Sequence, residues 1–142
     1  MNVNLTMMGP ILAQVALTLI VLFYMECRRL PALSARGTTP EQLQDPKTFD
    51  ELPAAAKYSS QNFQNLFEIP VLFYVLSFCA LITGLGGTMM VTLAWIFVGS
   101  RVVHSLIHCT YNTVIHRFIA FLVGVFALIA MLLLLIMRFW MG

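Results

Sequence analysis

Charge is what this sequence has least of: charged side chains make up 10% of its 142 residues, where a soluble domain carries about a quarter. The few Lys and Arg sit at segment ends and in one loop, so no basic face exists to meet nucleic acid. Cysteine is scarce as well. Cys27, Cys79 and Cys109 are odd in number, lack C-x-x-C spacing and lie in or beside apolar stretches. That pattern excludes a disulfide framework or a zinc site and reads as small buried hydrophobes.

What the chain has is apolar length. Hydrophobic residues make up 60% of it and the mean hydropathy is +0.87. Four runs approach or exceed the roughly 18 to 20 residues that cross a hydrocarbon core. They predict helices over about 8–26, 54–83, 88–111 and 114–140, separated by a polar loop at 30–53. That loop holds Pro31, Gly37, Pro40, Pro46 and Pro53. Pro70 falls inside the second helix, and Gly84-Leu85-Gly86-Gly87 forms the next turn. The first run ends at Glu26-Cys27-Arg28-Arg29, with its charges after the apolar stretch. A secretory signal has them before it, so this is a retained span.

The fold class is therefore an all-α membrane protein, a single domain over 1–142 built as an up-down bundle of four transmembrane helices. Arg28, Arg29, Arg36, Lys47 and Lys57 lie after the first helix, while the Gly-rich turn and the amino terminus hold no Lys or Arg. The positive-inside rule then places both termini outside and the polar loop in the cytoplasm. A bacterial inner membrane is the expected location.

Polar side chains recur at membrane depth. Gln61, Asn65 and Glu68 fall at i, i+4 and i+7 on the second helix and share a face, with Asn62 and Gln64 on its flanks. Arg101, His104 and His108 fall at i, i+3 and i+7 on the third, and Arg117 opens the fourth. One account is interhelical glue, with an internal Glu68 to Arg101 pair. A functional site is the other, because ionisable groups are costly inside a membrane and mark function. His104 and His108 share a face in the manner of two metal ligands but lack a third, so no metal is assigned. His116 reads as an interfacial anchor. Arg117 stands at a helix amino end, where a guanidinium lowers the pKa of a bound thiol.

Taken together, Asn65-Leu66-Phe67-Glu68 followed by Pro70, Arg101-Val102-Val103-His104 with His108, and the later Arg117 resemble the MAPEG family. These are membrane-associated proteins of eicosanoid and glutathione metabolism, including microsomal glutathione transferases. The resemblance implies a homotrimer with glutathione as co-substrate, bound between subunits near the cytoplasmic side. By position, Asn65, Glu68, Arg101 and His104 would hold glutathione. His108 stands where the family often has tyrosine, and Arg117 matches the arginine proposed to stabilise the thiolate. Gln61 and Gln64 stand where catalytic members usually carry arginines, and a neutral Gln lacks the charge-assisted grip of Arg on a carboxylate.

Two functions follow from that resemblance. One is a glutathione-dependent transferase or peroxidase whose lipophilic substrate enters from the membrane lipid. The other is a non-catalytic lipid-binding or scaffold member of the same fold.

Overall fold

The computed structural model describes residues 5–85 and 87–141, so Gly86 of the expected turn lies outside the described residues. A 3-10 turn (Leu5–Met7) leads into α1 (Met8–Ala35). The short α2 (Lys47–Asp50) then precedes α3 (Ala54–Asn65), α4 (Ile69–Thr83), α5 (Gly87–Cys109) and α6 (Val114–Met141). Among the described residues these make four spans long and apolar enough to cross a membrane, with α3 and α4 forming one of them.

Two boundaries differ from the sequence expectation. The first helix continues through Arg28, Arg29 and Pro31 to Ala35, so the connecting loop begins at Arg36 rather than near Leu30. Pro31 leaves one carbonyl without its helical donor, a loss that a helix end near headgroups and water tolerates. The second span breaks at Leu66-Phe67-Glu68. Pro70 has no N–H to offer the Leu66 carbonyl, and the chain tightens there, with the Phe67 N–H donating to the Gln64 carbonyl at 2.9 Å. The helix restarts with Pro70 in the first turn of α4, where its missing donor costs little.

Helices α5 and α6 form the closest pair. On α5 the buried residues Met90, Ala94, Phe97, Arg101, His104 and His108 follow one another at helical spacing down a single face. The matching face of α6 carries Ala120, Gly124, Ala127, Leu128, Met131 and Leu135. Gly124 lets the backbones approach: a Cβ there would stand 2.6 Å from Ser100 Oγ. Between membrane helices such close packing by small residues, more than apolar transfer, holds the pair together. Phe73 of α4 completes the centre by stacking on Phe97 at 4.6 Å between ring centroids.

The turn after α4 opens on Gly84 in the left-handed region (φ 69°), and the Arg138 guanidinium from the end of α6 donates to the Leu85 carbonyl at 2.5 Å. At the opposite end the loop is clasped by Arg36, which pairs with Glu51 at 2.5 Å. Arg29 lies 4.2 Å over the Phe49 ring. The cysteines are less enclosed than expected: Cys27 and Cys79 are exposed on the protein surface and Cys109 is half-buried. Large apolar side chains such as Phe23, Ile82, Ile115 and Phe126 point outward over most of the bundle, the surface that bilayer hydrocarbon covers.

Candidate functional site at the turn between α5 and α6

The α5–α6 turn is sharp because Asn112 adopts the left-handed conformation (φ 49°), which Asn tolerates better than most residues. Its N–H reaches back to the Ile107 carbonyl at 2.8 Å. This turn folds the first coil of α6 against the last two coils of α5, bringing Arg117 beside His104 and His108.

Arg117 is held at both ends. Its Nη1 donates to His108 Nε2 and to Asn112 Oδ1, each at 2.8 Å, and its carbonyl accepts from His104 Nδ1 at 3.0 Å. These partners fix both tautomers. His108 accepts at Nε2 and so carries its proton on Nδ1; His104 donates from Nδ1 and keeps a lone pair on Nε2. Neither remaining ring nitrogen, His108 Nδ1 nor His104 Nε2, has a hydrogen-bond partner, and both are buried. Both hydrogen bonds of the guanidinium use Nη1, which leaves Nε and Nη2 for a ligand.

Asn65, His104, Val114, Arg117, Phe118 and Phe121 line a cavity of about 220 Å³ at this point. Arg101 does not line it but lies against Phe121, its guanidinium 5.2 Å from that ring's centroid and 5.8 Å from Phe97. Only 1% of Arg101 is exposed, and its Nε and Nη2 have no partner. Aromatic faces offset part of the cost of a buried cation, but a carboxylate would offset far more.

The structure separates the sequence candidates into two groups. Asn65, His104 and Arg117 line the cavity, His108 backs it through its hydrogen bond with Arg117, and Arg101 lies one aromatic ring away. Gln61, Gln64 and Glu68 are exposed. The expected internal pair of Glu68 with Arg101 does not form within the chain; Arg36 with Glu51 is the ion pair among the described residues. The physical reason is the break at Leu66, which takes Glu68 off the α3 face and starts a new helix with it. The expected stripe of Gln61, Asn65 and Glu68 is thereby cut after Asn65.

Asn62, one of the flanking residues, packs inside together with Ala56 and Ser59 of α3. It is fully buried, accepts from Ser105 Oγ at 3.2 Å and donates to Cys109 Sγ at 3.4 Å. Sequence gave no reason to prefer it over Gln61 or Asn65. Asn112 interrupts the apolar pattern between the third and fourth runs, and nothing in the sequence marks it as a partner of Arg117.

Comparison with curated proteins and with solved structures found no match. The model of the MAPEG family matches residues 7–137, nearly the whole chain. With its apolar spans and its Arg and His residues gathered at the α5–α6 turn, the chain belongs to the MAPEG family.

Proposed function

We propose that this protein is a membrane-bound, glutathione-dependent transferase or peroxidase acting on lipophilic substrates. One observation carries the reading: Arg117, in the first turn of α6, is fixed through Nη1 by His108 and Asn112 while it faces the cavity. The donors around it suit a peptide thiol with free carboxylates. Arg117 Nη2 and Nε, together with the amino end of α6, stabilise a thiolate. Arg101, buried behind the Phe121 ring with Nε and Nη2 unpartnered, adds positive charge close to the cavity wall, which favours an anionic ligand there. Asn65 supplies amide hydrogen bonds.

In the conjugation reaction the thiol proton passes to water as Arg117 stabilises the sulfur anion. The sulfur then forms a bond to an electrophilic carbon of the substrate, and the carbon's leaving group departs with its electron pair. Location in the bilayer suits an electrophile that partitions into lipid.

The cavity of about 220 Å³ is smaller than the roughly 300 to 1,000 Å³ of complete ligand sites. One chain thus contributes part of the wall, and a homotrimer with the exposed Glu68 of one copy turned toward the cavity of another completes it. The non-catalytic reading draws its support from Gln61 and Gln64, which are exposed and uncharged where carboxylate-binding arginines would strengthen glutathione affinity.

The test is glutathione binding to the detergent-solubilised protein, followed by ultraviolet difference spectroscopy for the thiolate. Saturable binding with a thiolate signal that Arg117→Ala abolishes is the expected outcome. Absence of binding at millimolar glutathione would sink the reading in favour of a lipid-binding scaffold.

A further inference from the structure

A second recess, larger than the first and sharing no residue with it, runs between α1 and α5. It has a volume of about 520 Å³ and is walled by Ala13, Ala16, Leu17 and Ile20 on one side and by Val102 and Leu106 on the other. Ala13 and Ala16 make it deep, because neither side chain fills the space between the helices.

Its few polar side chains ask nothing of an occupant. Tyr24 donates to the Cys109 carbonyl at 3.4 Å, Ser105 to Asn62 at 3.2 Å and Thr110 to the Leu106 carbonyl at 2.6 Å. A slot whose hydrogen bonds are already made, and whose remaining wall is hydrocarbon, favours an apolar chain over water or a polar ligand.

Length and charge narrow the occupant. From Ala13 to Tyr24 the slot follows α1 for eleven helical rises, about 16 Å of helix, close to half of the roughly 30 Å hydrocarbon core and so the depth of one leaflet. It ends at Tyr24, over whose ring the Arg28 guanidinium lies at 5.2 Å. Arg28 is exposed and stands one turn beyond Tyr24 on the same face of α1, whereas Glu26 falls on the far side. Arg29 is turned to Phe49 of the loop, 4.2 Å from its ring, and leaves Arg28 as the cation at the slot's mouth.

We propose that this slot is a binding site for an anionic phospholipid, with one acyl chain between α1 and α5 and its phosphate on Arg28. The lipid comes from the leaflet facing the positively charged loop, and it binds whether or not the cavity at Arg117 takes glutathione.

The experiment titrates the full-length protein in detergent with dioleoylphosphatidylglycerol or dioleoylphosphatidylcholine and counts retained lipid by native mass spectrometry. The two lipids share their chains and differ in net headgroup charge. Phosphatidylglycerol is expected to bind roughly fivefold more tightly, the effect of one cation near an anionic headgroup. Arg28→Gln should abolish that preference and Arg29→Gln should preserve it. Ala16→Phe, at an exposed position on the slot wall, should lower retention of both lipids. Equal retention of the two lipids by the unaltered protein, or a preference that survives Arg28→Gln, would overturn the proposal. So would Ala16→Phe leaving retention intact, and a shift in oligomeric state with that variant would then identify the occupant as a second copy of the chain.

Discussion

Arg117 Nη1 lies 2.8 Å from His108 Nε2, and nine residues of chain, including a left-handed turn, are folded to bring these two atoms together. Histidine here does for the arginine what a hydroxyl cannot do without rotating: it presents a lone pair in a direction set by the packing of α5.

The first prediction concerns that contact. His108→Phe keeps the ring's bulk but removes the acceptor, so Arg117 should lose part of its orientation. A hydrogen bond to a charged group contributes about 1.5–3 kcal/mol. Thiolate formation on bound glutathione should therefore fall at least about tenfold, read from the ultraviolet difference signal. A signal unchanged by His108→Phe would show that Asn112 alone holds the guanidinium.

A second prediction addresses the link between α3 and α5. Asn62→Leu and Ser105→Ala, separately and combined, form a double-mutant cycle on the 3.2 Å hydrogen bond between them. The expected coupling is about 0.6 kcal/mol, with about 1.7 kcal/mol as the upper end seen between membrane helices. Unfolding in mixed micelles measures it. Gln61→Leu, on the exposed side of the same helix, should change stability by less than about 0.5 kcal/mol.

Gly124 gives the third. Gly124→Ala puts a methyl group 2.6 Å from Ser100 Oγ, and that hydroxyl is engaged with the Phe97 carbonyl, also at 2.6 Å. A loss of about 1–3 kcal/mol is expected from forcing the backbones apart. Adding Ser100→Ala should recover most of it, since the next nearest atom is 3.5 Å away. If the double variant unfolds as readily as Gly124→Ala, the strain lies elsewhere on the α5–α6 face.

The fourth turns on Pro70. Pro70→Ala returns an N–H to the position facing the Leu66 carbonyl, so α3 and α4 should join. Amide exchange at Glu68 and Ile69 should slow about fivefold, equivalent to one net hydrogen bond of about 1 kcal/mol. Hydrogen exchange followed by mass spectrometry reads this directly, and unaltered exchange there would mean that Pro70 does not cause the break.

Much of this architecture was legible in the chain because a bilayer imposes its thickness on apolar runs. The spacing of Arg101, His104 and His108 also carried through, since α5 is unbroken and those residues continue the stripe begun by Met90 and Ala94. The second span was harder. Gln61, Asn62 and Asn65 are neighbours on any helical projection, and which of them turns inward depends on how α1 and α5 flank α3, a tertiary fact. The stripe ending in Glu68 presumed a continuous helix, and one missing N–H at Pro70 ended it. Asn112 was a single residue in an uncommon backbone region, with no periodicity to announce it. The first helix ran past its expected end because Arg28 and Arg29 stack on Tyr24 and Phe49 instead of terminating it.

The interruption at Leu66 to Glu68 has a mechanical consequence. Its first half, α3, is fastened to α1 and α5, whereas α4 packs most closely on α6, with further support from α5 and the amino-terminal end of the chain. The second crossing is thus a pair of levers pivoting at one knuckle. A substitution at Phe73 or Ala80, both buried on the far lever, should therefore leave the position of Asn65 unchanged. Asn65, at the tip of the near lever, is held beside Arg117 by the packing of α3 on α1 and α5 alone.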